Sequence, residues 1–191
     1  MLIRRERPGD IPAIDAVHRA AFALEYAKGG DPGHGAESLP TPQAPSAYRP
    51  PAEVGLVHQL RSDSGWMPTL SLVAEDLERV VGHVCLTRAG VGPYPVLALG
   101  PIGVLPEHQR AGVGTGLMHA ALGAADALDE PLVGLLGSLQ YYPRFGFVPG
   151  SRLGVIPGEP SWASHFQVRT LTAYEPGITG EFRYPDPFYA I

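Results

Sequence analysis

The sequence predicts a mixed α/β protein that folds as a single domain over residues 1–191. Its 191 residues, 45% hydrophobic and 17% charged, are enough to build one globular core. Apolar residues recur at strand spacing, then at helical spacing, and two apolar runs in mid-chain predict an antiparallel hairpin. A strand–helix–strand–helix–strand order follows, so the predicted sheet is mixed.

A strand and two helices are predicted in the first quarter of the chain. Leu2–Arg4 is the strand, and Asp10 is a good N-cap for the helix that follows the Pro8-Gly9 turn. Residues 28–51 hold four glycines and six prolines, which predicts an insertion loop, either a surface segment or a substrate lid. Glu53–Arg61 resumes helical spacing. The apolar stripe of the first helix comprises Ile11, Ile14, Ala16, Val17, Ala20 and Ala21.

Three strands are predicted in the middle of the chain. Leu70–Ala74 and Arg79–Thr87 form the hairpin, in which His83, Cys85 and Thr87 share one face and Gly82, Val84 and Leu86 the other. The third strand, Val96–Leu105, is interrupted at Gly100-Pro101. Since proline cannot donate to a ladder, this predicts a β-bulge where the strand bends away from its neighbour.

The remaining elements are a helix, a buried strand and a β-rich extension. The helix spans about Gly112–Leu128, with a buried stripe ending at Leu128, and the strand is Leu132–Leu136. A short helix is expected at Leu139–Phe145. Residues 150–191 form the extension, with strands at Phe166–Val168 and Phe182–Tyr184. Its aromatic residues either support a homodimer or pack on their own sheet; they are Trp162, Phe166 and Tyr184.

Composition and charge exclude several classes of protein. A net charge of -5 argues against a nucleic-acid binder, which normally carries a basic face. The single cysteine, Cys85, excludes an intrachain disulfide or a cysteine-cluster metal site and favours a reducing compartment. Neither a signal-peptide apolar region nor an apolar run of about 18 residues is found, so we expect a cytoplasmic protein without a membrane partner. His-Glu-x-x-His is absent, and no metal is expected.

A glycine-rich turn after a buried strand is the segment that indicates a ligand site. It lies within Val104–Leu117 and opens an amphipathic helix, where free backbone N–H groups and the helix dipole attract phosphate. No Lys-Ser/Thr follows the glycines, so it is not a P-loop, and Leu117 stands where Gly-x-Gly-x-x-Gly needs its third glycine. A metal-free pyrophosphate fits this turn better than a magnesium-bound nucleotide does. A nucleotide-binding protein remains an alternative interpretation.

Three segments resemble a known family. Gln109–Gly114 fits the acetyl-CoA signature of the GCN5-related N-acetyltransferases (GNAT), Gln/Arg-x-x-Gly-x-Gly/Ala. Tyr141–Phe147 resembles the family's Tyr-x-x-x-Gly-Phe segment. The hairpin segments Leu72–Glu75 and Val80–Val84 are similar to the family's central hairpin. Within the family the chain most resembles the predicted acetyltransferases of the YhbS type, over residues 1–27 and 53–150.

The resemblance implies a GNAT fold and an acetyl-CoA site. The fold has a mixed, mostly antiparallel sheet splayed in the middle, with helices on both faces. The strand before the signature would hold the pantetheine and acetyl groups, and the turn after it the pyrophosphate, with the charge of Arg110 either contributing or simply solvated. The implied cofactor-binding residues are Ile102, Gly103, Val104, Gln109, Arg110, Ala111, Gly112, Val113, Gly114 and Thr115.

The implied reaction moves an acetyl group from the thioester to a primary amine of a small molecule or peptide. Tyr142 matches the family's general-acid tyrosine, four residues before Gly146, whereas Tyr141 is expected to pack in the core or against the cofactor. No base is assigned: His83 is expected to be a sheet-face histidine with satisfied hydrogen bonds, and Glu53 to begin the second helix. Glu107 and His108 are expected to be solvated. The alternative is a non-catalytic acyl-CoA-binding or protein-interaction module with this fold.

Overall fold

A computed structural model describes residues 1–27 and 50–190. The insertion predicted at 28–51 lies outside the described residues, apart from its last two positions. Along the described chain the helices and strands are β1 (Leu2–Arg5), α1 (Ile11–Ala27), α2 (Ala52–Ser62), β2 (Trp66–Asp76), β3 (Arg79–Val91), β4 (Tyr94–Val104), α3 (Val113–Asp126), β5 (Leu132–Leu136), β6 (Val148–Pro149), β7 (Val155–Pro157), β8 (Phe166–Thr170) and β9 (Gly180–Arg183).

The strands form one mixed sheet. Its order is β1-β2-β3-β4-β5-β8-β6, and β9 joins it by pairing with both β3 and β7. The β4–β5 and β7–β9 pairs are parallel, and the other pairs are antiparallel. The prediction of a mostly antiparallel mixed sheet is therefore confirmed. Within residues 1–27 and 50–190, no helix is both long enough and apolar enough to cross a membrane.

Helices cover both faces of the central strands, as the family resemblance implies. A Cβ added to Gly82 would touch Leu117 and Val113, so this face lies against α3. A Cβ added to Gly103, which pairs with His83 across the β3–β4 ladder, would instead touch Val17 and the ring of His18 on α1. Because successive strand residues point to opposite faces, α1 and α3 pack on opposite sides of the same strands.

The predicted bulge is present and lies where the sheet splays. Between the pairs Leu86–Leu99 and Val84–Ile102, two residues of β4 oppose the single residue Cys85. On its other edge β4 pairs with β5 only at Leu97–Val133 and Ala98–Gly134. Beyond these pairs the two parallel strands separate within the described structure. We call the space between them, past Ala98 and Gly134, the wedge.

Several boundaries differ from the predictions, and three of them matter for the packing. β3 continues to Val91, because its last residues pair with both β4 and β9. The chain then turns into β4 around Gly92, whose φ of 55° is left-handed. The helix expected at Leu139–Phe145 is a single 3-10 turn over Tyr142–Phe145. Leu128 is 47% exposed, because α3 ends before it, so the buried stripe does not extend that far.

The aromatic residues of the C-terminal extension pack on their own sheet. Phe166 and Tyr184 are buried, and the ring of Phe182 lies between them with centroid distances of 5.1 and 4.7 Å. Trp162 stacks on Tyr189 at 5.3 Å. Phe166 and Tyr184 are therefore core residues and offer little surface to a second protomer.

Candidate active site

One wall of the wedge is the free edge of β4. The Leu105 N–H donates to the Val81 carbonyl at 2.9 Å, so Leu105 turns its backbone polar groups toward β3. Since neighbouring strand residues turn these groups to opposite edges, Val104 and Ile102 turn theirs into the wedge. Both are residues to which the family resemblance assigns the pantetheine and acetyl groups. The third such residue, Gly103, bonds toward β3 and leaves its bare Cα against α1.

The glycine turn, residues 109–115, lies at the end of the same strand. Gly112 is the N-cap of α3 with φ at 84°, and within the described residues no side chain caps this end of the helix. The first bond of the helical ladder runs from the Gly116 N–H to the Gly112 carbonyl at 2.9 Å. Val113, Gly114 and Thr115 thus present the N–H groups that precede the ladder, together with the positive end of the helix dipole.

The polar side chains of the turn have different positions. The Gln109 amide donates to the Val104 carbonyl at 3.1 Å, which ties the turn to the end of β4. Arg110 is exposed and adopts a left-handed φ of 61°. Glu107 pairs with Arg79 at 3.3 Å with both side chains exposed, so its predicted solvated position is confirmed. Ala111 is also exposed.

The two neighbouring tyrosines have different surroundings. A Cβ added to Gly114 would lie 3.0 Å from the Tyr141 hydroxyl, which places that hydroxyl at the N-terminus of α3. Burial raises the pKa of Tyr141, and the Arg144 guanidinium lies 4.9 Å from its ring centroid. Tyr142 is 9% exposed, and its ring covers Gly137, the residue just after β5. Tyr142 therefore lies at the end of β5, and the Tyr141 hydroxyl lies beside the glycine turn.

Comparison with known proteins identifies the family. A model of the acetyltransferase (GNAT) family matches residues 40–147. The chain belongs to the GNAT family. It is 34% identical to the uncharacterized N-acetyltransferase YjhQ of Escherichia coli K12 over 143 residues, covering 71% of this chain and 79% of that protein. It is 30% identical to the uncharacterized N-acetyltransferase YhbS of the same strain, covering 98% of both chains.

Solved structures of GNAT proteins agree with this assignment. The crystal structure of E. coli YhbS in complex with CoA superposes with a TM-score of 0.78 at 28% identity, covering 98% of this chain and 91% of that chain. A GNAT acetyltransferase from Brucella melitensis in complex with acetyl-CoA gives a TM-score of 0.69 at 30% identity, covering 98% and 97%. The predicted fold and the resemblance to the YhbS type are thereby confirmed, and the chain is an acetyltransferase.

This GNAT chain also holds a buried polar cluster that the sequence analysis missed. His18 on α1 and His83 on β3 are both fully buried, and their rings are joined by a 2.8 Å hydrogen bond. Glu6 and Ser71 lie at the far side of His83. A signal existed in the sequence: His18 follows Ile14 by four residues and therefore falls on the buried stripe of α1. Within the described residues, no group of three or more His, Cys, Asp or Glu is arranged to hold a metal.

Proposed function

We propose that this chain transfers the acetyl group of acetyl-CoA to a primary amine by direct attack, with Tyr142 as the general acid. The observation that carries the proposal is that the wedge and the uncapped glycine turn lie next to each other. The polar backbone edge of β4 suits an amide-rich pantetheine arm, and the free N–H groups of α3 suit a pyrophosphate. Acetyl-CoA contains both a pantetheine arm and a pyrophosphate. The edge of β4 and the glycine turn follow each other along the chain in the same order.

The proposed reaction assigns one group to the oxyanion and one to the leaving thiolate. A neutral amine adds its lone pair to the thioester carbonyl carbon, and the oxyanion that forms needs a hydrogen-bond donor. The Val104 N–H, which faces the wedge, supplies one. The C–S bond then breaks, its electrons leave on sulfur, and the phenol of Tyr142 donates its proton to the thiolate. Loss of a proton from the nitrogen completes the amide.

Ligand binding is tested first, by isothermal titration with acetyl-CoA and with ATP as the control ligand. We expect micromolar affinity for acetyl-CoA and none for ATP, because the turn lacks the lysine of a P-loop. Binding of ATP alone would move the function to nucleotides. Binding of acetyl-CoA without release of CoA in any amine screen would instead favour the non-catalytic module.

Glycine variants test the phosphate site. Gly112→Glu and Gly114→Glu bring negative charge to the turn, and at Gly114 the new side chain also meets the Tyr141 hydroxyl. We expect both to abolish acetyl-CoA binding. Gly123→Glu is the matched control, because Gly123 lies on the same helix with no atom within 4 Å of an added Cβ. Wild-type affinity in the first two variants would refute the site.

The tyrosines are tested by removing one hydroxyl at a time. We expect Tyr142→Phe to lower turnover about 100-fold with little change in acetyl-CoA affinity, since a general acid acts only in the reaction. Tyr141→Phe removes the neighbouring hydroxyl, and a larger loss of turnover there would move the general acid to Tyr141. Tyr94→Phe, at the exposed β3–β4 turn, is the control that retains wild-type turnover.

A further inference from the structure

A chain of buried hydrogen bonds runs from a carboxylate to the α1 side of β4. We call it the histidine chain; it comprises Glu6, Ser71, His83 and His18. Ser71 Oγ lies 2.5 Å from Glu6 Oε2 and 3.0 Å from His83 Nε2, and His83 Nε2 lies 3.3 Å from the same carboxylate oxygen. His83 Nδ1 continues the chain to His18 Nε2 at 2.8 Å.

Donors and acceptors along the chain determine where its protons lie. The pKa of Glu6 is about 2: burial raises it, but hydrogen bonds from His83, Arg61 and Ser71 outweigh the burial, so the carboxylate only accepts. Ser71 gives its one proton to Glu6, which leaves its oxygen as an acceptor toward His83. His83 Nε2, facing two acceptors, must therefore carry a proton.

The same count of donors and acceptors determines which of the remaining ring nitrogens carry a proton. Burial lowers the pKa of both histidines, so each ring is neutral at pH 7 and carries one proton. With its proton on Nε2, His83 accepts at Nδ1, and the donor of that bond is His18 Nε2. His18 Nδ1 is then left with a lone pair. Within the described residues this buried atom has no hydrogen-bond partner.

This lone pair faces the strand that forms the wall of the wedge. A Cβ added to Gly103 would come within 3.0 Å of His18 Nδ1, and the native glycine keeps that space open. Gly103 lies between Ile102 and Val104, whose backbone groups line the wedge. A buried acceptor without a partner costs free energy, about 1–3 kcal/mol for a neutral group. A proton that a ligand donates across Gly103 would give His18 Nδ1 a hydrogen-bond partner.

We propose that His18 is the general base of the transfer, accepting at Nδ1 the proton that the acceptor amine loses. The inference rests on the proposed function. The nitrogen lone pair forms the bond to the acetyl carbon, and the N–H proton passes to His18 Nδ1, directly or through one water. The Nε2 proton of His18 then moves to Nδ1 of His83. The positive charge comes to rest on His83, next to the Glu6 carboxylate.

The groups around the two rings favour this direction of transfer. Glu6, which follows β1, and Asp10, which precedes α1, both stabilise a positive charge on His83. Arg61 on α2 opposes it, but its guanidinium bonds Glu6 at 2.8 and 3.2 Å. Cys85, the next residue on this face of β3, stays a neutral thiol, because burial raises its pKa to about 12. Glu6 is thus a positioning residue that acts through His83.

The proton positions are tested first, since they need no acceptor. Long-range ¹H–¹⁵N correlation spectra of the free protein at pH 7 distinguish the two tautomers of each histidine. We expect His18 to be protonated at Nε2 and bare at Nδ1, and His83 to be protonated at Nε2. A proton on Nδ1 of His18 would overturn the proposal.

Kinetics then test the role in transfer. The probes are butylamine and the amine with the highest turnover in the acceptor screen. We expect His18→Gln to lower turnover about 100-fold with acetyl-CoA affinity unchanged, and to abolish the fall in turnover that the wild type shows toward low pH. Glu6→Gln should move that fall to lower pH, because the imidazolium loses its carboxylate. A purely structural role would not shift the pH profile.

Controls separate this inference from the proposed function. His58→Gln is the matched control, because His58 is half exposed and pairs with Asp15 on the outside of α1. Gly103→Ala fills the space beside His18 Nδ1 and keeps both imidazoles, so it should lower turnover even where His18→Gln folds poorly. If the wild type transfers acetyl groups and His18→Gln keeps its rate and pH profile, only the base assignment fails. If the wild type acetylates no amine, the proposed function fails, and the base assignment with it.

Discussion

Mild acid should destabilise this protein through its two buried histidines. Both rings are fully buried, and burial lowers their pKa, His18 well below 6.5. Below pH 6.5 the two histidines take up protons in the unfolded chain but stay neutral in the folded chain. The free energy of unfolding therefore falls as the pH falls below 6.5. Glu6 adds little in this range. Its pKa is about 2 in the folded protein against 4.5 in the unfolded chain, so it is mostly ionised in both states down to pH 5 and acts mainly at lower pH.

The size of the loss follows from proton linkage. Each proton taken up only by the unfolded state costs about 1.4 kcal/mol per pH unit once the pH is below the unfolded pKa. Between about pH 6.5 and pH 5, His18 alone therefore removes about 1.5 kcal/mol of stability. His83 acts in the same direction, so the pair removes up to about 3 kcal/mol. That is a large share of the 5–15 kcal/mol typical of a folded domain.

Urea unfolding at a series of pH values measures this loss, with tryptophan fluorescence as the signal. The free energy in water, at constant m-value, should fall steadily from pH 6.5 to pH 5. His18→Gln removes one titrating group and should flatten the slope, whereas His58→Gln, half exposed on α2, should keep it. A wild-type free energy independent of pH in this range would show that the rings are already charged, and the proton positions inferred above would be wrong.

Three further results are expected from the packing. Gly134→Ala places a Cβ against the ring of Phe182 and should cost about 1–3 kcal/mol in urea unfolding, with partial recovery when Phe182→Leu is added. Cys85 is fully buried with its pKa raised to about 12 by burial, so Ellman's reagent should modify it only in urea; rapid reaction of the native protein would contradict its burial. Gly137→Ala overlaps the ring of Tyr142 and should lower turnover more than acetyl-CoA affinity, and equal losses of both would indicate a general disruption.

The strand order, the bulge and the glycine turn could be predicted because they depend on local patterns. Period-two alternation along β3 established which residues share a face of the sheet, and proline in a strand indicated the bulge at Gly100-Pro101. The order of strand, glycines and helix determines that free N–H groups appear at the start of α3. Each of these properties depends on residues within a few positions of one another, so the chain carries them without its tertiary context.

What the tertiary structure decided is the surroundings of individual side chains. His18 and His83 are separated by 65 positions, yet their ring nitrogens meet at 2.8 Å, and the sequence treated His83 as a satisfied histidine and passed over His18. Tyr141 and Tyr142 are adjacent in sequence, but one hydroxyl lies at the N-terminus of α3 and the other ring covers Gly137. Periodicity specifies the face on which a side chain lies. Its partners, and hence where its protons are held, are set by residues that only the folded chain brings together.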